Sequence, residues 1–245
     1  MLSVIASEPQ GDDGPRMAAI EKFDFPILVV SLDRKQERYE YVKQQLDNMG
    51  LTKYQKFSAV DGQLTSLEEF MYFGLSRGMA RANKGAAACA SSHINVWRHI
   101  AARKMGWTLI LEDDANFHPD FATLFPEYWQ QIPQAAKIIF AGHCHSHGGE
   151  NGRFPIVSKA GMCTHAYMIN AESAEYLLQK LLPLDDAVDI SLIRHFKKNT
   201  GAYLFNGNAT VSGIRPNDYK EKQGQRCSFN GLIYQNQETH PSTIR

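Results

Sequence analysis

The stretch Trp107-Thr-Leu-Ile-Leu-Glu-Asp-Asp114 is a short, largely apolar run that ends abruptly in three carboxylates. An apolar run of this length predicts a buried strand of an α/β sheet. Ligands of open α/β sheets bind at the carboxyl ends of the strands. We therefore expect a functional site where this strand ends.

The three carboxylates indicate what kind of site this is. Neighbouring carboxylates repel one another unless a cation balances them. Oxygen ligands suit Mg²⁺ or Mn²⁺, which complete their coordination shell with water and substrate phosphates. In an extended chain Glu112 and Asp114 would point to one side and Asp113 to the other. The pattern fits two interpretations equally: a divalent metal beside a nucleotide diphosphate, or acidic residues that only cap the helix expected from Pro119.

Bulk composition restricts the class of protein. The chain has 245 residues and 43% hydrophobic content, which is enough for one α/β domain of the larger sort, predicted here over residues 23–245. Residues 1–22 read as a flexible, polar leader. Lys and Arg (26) balance Asp and Glu (26), so bulk charge gives no reason to expect a nucleic acid partner.

The spacing of the cysteines and the length of the apolar runs indicate the cellular compartment in which the protein is expected. The chain has four cysteines, Cys89, Cys144, Cys163 and Cys227, and their wide spacing favours reduced thiols of a cytosolic protein. No apolar run approaches the ~18 residues of a membrane span, although peripheral membrane contact stays open. We expect a cytoplasmic protein.

The hydrophobic pattern predicts an alternating order of strands and helices. A strand at 25–32 is followed by a helix, for which Asp33 and Gln36 form a capping-box-like start, and then by a strand at 54–60. This β-α-β beginning implies a parallel sheet with a right-handed crossover. Further segments are a helix from Gly85 to Ile100, strands at 137–141, 164–169 and 202–205, helices at 171–182 and 189–198, and an irregular tail from Asn206.

Four segments together resemble glycosyltransferase family 25, which contains lipooligosaccharide and collagen galactosyltransferases. Their order and spacing agree with the family over roughly residues 25 to 200. The segments are Val29-Val-Ser-Leu-Asp-Arg-Lys-Gln-Glu-Arg38, Phe57-Ser-Ala-Val-Asp-Gly62, Lys84 to Trp97 with Leu109-Ile-Leu-Glu-Asp-Asp114, and Thr164-His-Ala-Tyr-Met-Ile-Asn170 with the later Val188-Asp189.

The resemblance implies a fold and a reaction. The fold is an α/β fold of the GT-A type, a nucleotide-sugar-binding fold with a mixed, mostly parallel sheet flanked by helices. The reaction is transfer of a hexose from a UDP-hexose donor, most often UDP-galactose or UDP-glucose, to a saccharide or glycan acceptor, with inversion and with Mn²⁺ or Mg²⁺. The metal would stabilise the negative charge that grows on the leaving diphosphate.

The resemblance also assigns residues. Glu112 and Asp114 match the metal motif, and Asp114 is the expected direct ligand. The residues expected to contact the donor are Ser31, Arg34, Arg38, Asp61, Ser92, His93 and Glu112. The plainer alternatives are solvated helix arginines at Arg34 and Arg38, an ordinary Asp-Gly turn at Asp61, a buried, hydrogen-bonded histidine at position 93, and a solvated acidic turn for the carboxylates.

An inverting transfer needs a general base that accepts the proton of the acceptor hydroxyl. Asp189 matches the family's Val-Asp position, and Asp186 is a competitor in the same loop. Asp189 alternatively caps its helix or binds sugar hydroxyls.

Two rival functions remain at this stage. The run Gly142-His-Cys-His-Ser-His-Gly-Gly149 has the imidazoles and thiol of a Zn²⁺ site, which would indicate a metal-dependent hydrolase. The other rival is a noncatalytic carbohydrate-binding protein that keeps a transferase fold.

Overall fold

The computed structural model describes residues 24–144, 156–157, 160–205 and 230–235. The strands are β1 Ile27–Ser31, β2 Tyr54–Ser58, β3 Thr108–Glu112, β4 Ala115–Phe117, β5 Ile138–Cys144, β6 Ile156–Val157, β7 Met162–Ile169, β8 Ala202–Phe205, β9 Asn230–Gly231 and β10 Ile233–Gln235. The helices are α1 Gln36–Asn48, α2 Leu67–Tyr72, α3 Arg77–Ala82, α4 Lys84–Ala102, α5 Phe121–Trp129, α6 Ala171–Leu181 and α7 Val188–Phe196. The predicted leader lies outside the described residues.

Eight of the described strands form one mixed sheet in the order β2-β1-β3-β7-β5-β8-β6, with β9 also paired to β5. β2, β1, β3, β5 and β8 run in one direction, whereas β7, β6 and β9 run in the other. β4 and β10 form a separate antiparallel pair. The predicted α/β class with a mixed, mostly parallel sheet is confirmed, as is the parallel pairing of β1 and β2.

Both faces of the sheet are covered, and the alternation of side chains along the strands explains how. In β3, Leu109 and Leu111 enter the apolar cluster that contains α1 and α5, whereas Ile110 enters the cluster that contains α4 and α6. Successive side chains of a strand point to opposite faces, so a continuous apolar run fits a strand that is buried on both sides.

Helix α1 shows the predicted apolar face but begins differently. Val42 and Leu46 are fully buried, as their helical spacing predicts. The capping box predicted from Asp33 is wrong: the N-cap is Lys35, which makes no side-chain cap hydrogen bond. The amide of Gln36 instead donates to the backbone carbonyl of Asp33, 3.3 Å away.

The strand directions determine where ligands can bind. β1, β2 and β3 are parallel, so their carboxyl ends at Ser31, Ser58 and Glu112 meet at one edge of the sheet. β7 is antiparallel to β3, with Ala166 opposite Leu111, so the start of β7 lies at this same edge. We call it the carboxyl edge.

Two expectations from the sequence need correction. The tail from Asn206 is not wholly irregular, because residues 230–235 add β9 and β10. The prediction of four reduced thiols is wrong for Cys163, which is disulfide-bonded, while Cys89 is a free thiol. The disulfide removes one premise of the predicted cytoplasmic location.

Within the described part of the chain, no helix combines the length and the apolar character needed to cross a membrane.

Candidate active site

Glu112, the last residue of β3, lies at the centre of a buried chain of hydrogen bonds at the carboxyl edge. Its Oε1 accepts from the hydroxyl of Thr164 at 2.8 Å and lies 3.3 Å from Nε2 of His93. The Tyr167 hydroxyl lies 2.9 Å from Nδ1 of His93 and accepts from the indole N–H of Trp97, also at 2.9 Å. α4 therefore supplies His93 and Trp97, while β7 supplies Thr164 and Tyr167.

These hydrogen bonds indicate which ring nitrogen of His93 carries the hydrogen that Glu112 accepts. The indole of Trp97 can only donate, so the Tyr167 oxygen accepts from it and its own proton is available to Nδ1 of His93. Nε2 then carries the hydrogen and donates to Glu112. Together with the Thr164 hydroxyl, this hydrogen bond fixes the position of the Glu112 carboxylate.

The environment of Glu112 favours its ionised form. Burial works to raise the pKa of Glu112, but the hydrogen bond and charge of His93, the hydrogen bond of Thr164 and the charge of His165 outweigh it and lower the pKa. Glu112 is thus held as a carboxylate inside the protein.

Asp113 and Asp114 both face Arg38 of α1. Arg38 Nη2 lies 2.5 Å from Asp113 Oδ1 and 3.8 Å from Asp114 Oδ2, and all three side chains are buried. Burial raises the pKa of Asp113, although the charge of Arg38 and a hydrogen bond with Ser31 oppose the rise. β3 ends at Glu112 and the next two residues form a turn, so the extended geometry behind the predicted shared side of Glu112 and Asp114 does not continue past Glu112.

The carboxylates fit a divalent cation on charge and on donor type. Glu112, Asp113 and Asp114 bring three negative charges, and Arg38 brings one positive charge. Three carboxylates beside one guanidinium leave excess negative charge in a buried place, where excess charge is costly. Carboxylate oxygens are the ligands that Mg²⁺ and Mn²⁺ prefer. Asp114 has the looser contact with Arg38, so it is better suited than Asp113 to take up a metal.

A cleft lies at the carboxyl ends of β1 and β2, on the same edge of the sheet. It has a volume of about 140 Å³ and is lined by Leu32, Arg34, Val60, Asp61, Gly62, Gln63, Lys84, Gly85 and Ala88. Arg34 Nε lies 2.6 Å from Asp61 Oδ2. This hydrogen bond from Arg34 is the main cause of the lowered pKa of Asp61, which also accepts from the backbone N–H of Gln63. The cleft combines a carboxylate with two cationic side chains, which suits the ribose and phosphates of a nucleotide.

Ser31 and Ser92, both predicted to contact the donor, are fully buried. Ser92 accepts from the backbone N–H of Val60 at 2.9 Å and donates to the carbonyl of Ala88 at 2.7 Å, so it ties the segment after β2 to α4. These bonds make Ser92 a support for the cleft. Direct contact of either serine with a donor stays a prediction.

Asp189 and Asp186 have different surroundings. Asp189, in the first turn of α7, accepts from the backbone N–H of Cys163 at 3.1 Å. Since Thr164 bonds to Glu112, consecutive residues of β7 connect Asp189 and Glu112. Cys163 has a positive φ of 66°, an uncommon conformation for a residue other than glycine. Asp186 instead pairs with Arg194, 2.8 Å away.

Sequence reasoning missed three residues of this site: Cys89, Thr164 and Tyr167. Cys89 lies one helical turn before His93, and burial raises the pKa of its thiol well above the usual value, with Glu112, Asp189 and Asp114 adding to the rise. The i, i+4 spacing of Cys89 and His93 was a readable signal. Nothing in the sequence alone paired β7 with β3, so the contacts of Thr164 and Tyr167 required the structure.

The histidine-rich run is only partly described. His143 is buried, and its Nε2 donates to the carbonyl of Phe205 at 2.9 Å, which is an ordinary structural role. The side chain of Cys144 and residues 145–149 lie outside the described part. The prediction that this run binds zinc is therefore untested.

The fold and site together define an α/β protein with a buried acidic group and a small polar cleft at the carboxyl edge of its sheet. Residues 24–147 match glycosyltransferase family 25 (LPS biosynthesis protein), which is half of the chain, and the protein belongs to that family.

Three relatives illustrate the range within the family. The putative glycosyltransferase R655 of Acanthamoeba polyphaga mimivirus is 33% identical over 118 residues, covering 47% of this chain and 36% of the relative. Human procollagen galactosyltransferase 2 is 25% identical, covering 69% and 30%. The human inactive glycosyltransferase 25 family member 3 is 22% identical, covering 83% and 40%. The chain thus spans about a third of the length of the curated relatives it matches.

Two solved glycosyltransferases align with 80% and 88% of the chain, at 10% and 14% identity and TM-scores of 0.36 and 0.39.

Proposed function

We propose that this protein transfers a hexose from a UDP-sugar to a saccharide or glycan acceptor, with inversion at the anomeric carbon. UDP-galactose is the first candidate donor and UDP-glucose the second. Support for the reaction class comes from membership of glycosyltransferase family 25. Support for galactose comes from a similar protein, human procollagen galactosyltransferase 2.

The observation on which the proposal chiefly rests is the meeting of two features at the carboxyl edge. One is the cleft containing Arg34, Asp61 and Lys84, and the other is the carboxylate group that follows β3. In the proposed complex Asp61 contacts the uridine, and Arg34 and Lys84 contact the phosphates. The diphosphate then lies towards Asp114.

Glu112 and Asp114 would hold Mn²⁺ or Mg²⁺, which when bound stabilises negative charge on the leaving diphosphate. The chain's own residues prepare that position. Arg38 holds Asp113 and approaches Asp114, and His93 with Thr164 holds Glu112.

Asp189 is the proposed general base. Its carboxylate is half-buried at the carboxyl edge, connected to Glu112 through neighbouring residues of β7. A base in this position takes the proton of the acceptor hydroxyl as the hydroxyl attacks the anomeric carbon. Asp186 is the reserve candidate, but its ion pair with Arg194 draws it away from this role.

The direct test is calorimetry of UDP binding with and without Mn²⁺, comparing the wild type with Asp114→Asn. We expect the variant to bind UDP at least about tenfold more weakly with Mn²⁺, because a missing carboxylate removes a metal ligand and about 1.4 kcal/mol of binding free energy.

Asp33→Asn is the matched control, since Asp33 lies at the same edge with its side chain 71% exposed. The control should bind as the wild type does. Unchanged Mn²⁺-dependent affinity in Asp114→Asn would remove Asp114 from the ligand set.

A noncatalytic carbohydrate-binding protein is the second candidate function. The observation that favours it is the similarity over 83% of this chain to a human relative named as inactive. Release of UDP from a UDP-sugar distinguishes the two, because the noncatalytic protein binds the donor without consuming it.

A further inference from the structure

Cys89, His93 and Glu112 form a compact group of side chains with the chemistry of a transition-metal site. One potential ligand atom from each residue lies within 4.8 Å of the other two. Cys89 and His93 are four residues apart on α4, so they share a face of that helix, and Glu112 faces them from β3. We propose that these three residues bind a zinc ion.

The distances are close to those that a zinc ion requires. Zinc bonds to sulfur at about 2.3 Å and to nitrogen or carboxylate oxygen at about 2.0–2.2 Å in tetrahedral geometry. Two such light-atom ligands are then roughly 3.3–3.5 Å apart. His93 Nε2 and Glu112 Oε1 are 3.3 Å apart. The Cys89 sulfur lies within 4.8 Å of a ligand atom of each of the other two residues, and a fourth coordination position would remain for water.

The surrounding hydrogen bonds can serve a metal ligand once the Tyr167 hydroxyl turns its own proton away from His93. A histidine that binds a metal donates its other ring N–H to a neighbouring group. The Tyr167 hydroxyl, 2.9 Å from Nδ1 of His93, is placed for that purpose. Thr164 holds Glu112 with a 2.8 Å hydrogen bond. On zinc binding, the hydrogen of His93 moves from Nε2 to Nδ1, which leaves Nε2 available to the ion, and the Cys89 thiol releases one proton to solvent.

The ligand set selects the metal. A thiolate and an imidazole favour Zn²⁺, whereas Mg²⁺ and Mn²⁺ prefer oxygen ligands alone. This site is therefore different from the proposed Mn²⁺ or Mg²⁺ position at Asp114, although Glu112 belongs to both. The zinc proposal does not depend on the proposed transferase function, and its test uses no nucleotide sugar.

The test uses metal-stripped protein kept free of reductant, so that the Cys163 disulfide stays intact. Zinc should bind with one equivalent at this site and raise the melting temperature, because the ion binds the folded state. Co²⁺ in place of zinc should give the near-ultraviolet absorption band of a cobalt–thiolate bond. That band should be absent in Cys89→Ser, whereas His145→Ala with His147→Ala should keep it.

A second measurement needs no variant. Alkylation of Cys89 in the wild-type protein, followed by peptide mass spectrometry, should be at least about tenfold slower with zinc than with Mg²⁺. A cobalt–thiolate band that persists in Cys89→Ser, or an alkylation rate of Cys89 that zinc does not change, would overturn the proposal.

Discussion

Asp189 and Asp186 lie three residues apart but face different partners. Asp189 accepts from the backbone of β7 beside Glu112, whereas Asp186 pairs with Arg194, a surface residue whose side chain is 56% exposed. A general base needs a carboxylate that an acceptor hydroxyl can reach near the donor. Substitution by asparagine is therefore expected to change the rate of sugar transfer differently at the two positions.

Asp189→Asn should lower the rate of sugar transfer by about 10²- to 10⁴-fold while leaving UDP affinity near that of the wild type. Asparagine keeps the volume of the side chain but cannot accept the proton. Asp186→Asn is the control, and it should transfer sugar at close to the normal rate. Loss of transfer in Asp186→Asn alone would give Asp186 the role, and normal rates in both variants would place the base elsewhere.

The ion pair of Arg34 and Asp61 predicts a dependence of stability on pH. Arg34 lowers the pKa of Asp61, so ionised Asp61 stabilises the folded state at neutral pH. This contribution is lost as the pH falls below about 4, through the folded-state pKa. The free energy of unfolding of the wild type should exceed that of Asp61→Asn at pH 7, and the difference should shrink at pH 3. A difference that stays constant between the two pH values would contradict the pairing.

The sequence located the acidic site, but it did not reveal what each acidic residue faces. The apolar run before Glu112 predicted that this residue lies at the edge of the sheet where ligands bind. The ion pairs of Arg38 with Asp113 and Asp114 could not be predicted from the sequence, because they depend on how α1 packs against the turn after β3. Side chains from distant segments meet only in the folded chain, so such roles need a structure.

At the level of whole elements, the contact between the end of β2 and the start of α4 shapes the nucleotide cleft. A Cβ atom at Gly62 would lie 2.7 Å from the carbonyl oxygen of Lys84 and 3.2 Å from Cβ of Ala88. The first of these is a backbone atom at the start of a helix, which cannot easily move. Glycine at this position therefore allows the two elements to approach.

Gly62→Ala should destabilise the protein by about 1–3 kcal/mol and weaken UDP binding, because the added methyl group pushes β2 away from α4. Gly106→Ala is the matched control, since a Cβ there would meet nothing within 4 Å. Urea unfolding and UDP calorimetry measure both effects. Equal stability and equal UDP affinity in the two variants would contradict the role of this contact.

Helices and strands could be predicted from the sequence where the pattern of apolar residues was clear along the whole element. The helix α1 shows this, because its buried positions recur at helical spacing, and so does β3, a continuous apolar run that is buried at all five positions. β10 was missed because it is three residues long and pairs with β4, far away in the chain. The direction of β7 could not be predicted either, because the order and direction of strands in a sheet depend on tertiary packing.

At the scale of the whole molecule, family membership gives the reaction class but leaves the donor and acceptor as proposals. The chain spans only about a third of its curated relatives, and one of those relatives is named as inactive. A cytoplasmic location also stays a proposal. Function must therefore be measured on this protein itself.

The most direct test of the central claim is a panel of nucleotide sugars incubated with the protein and Mn²⁺, with released nucleotide measured for each. We predict release of UDP from UDP-galactose, less from UDP-glucose, and loss of release in Asp114→Asn. Thermal stabilisation by the same compounds gives an independent measure of binding, because a ligand that binds only the folded state raises the melting temperature. A preference for a GDP- or CMP-sugar, or no release from any donor, would contradict the proposed UDP-hexose transfer.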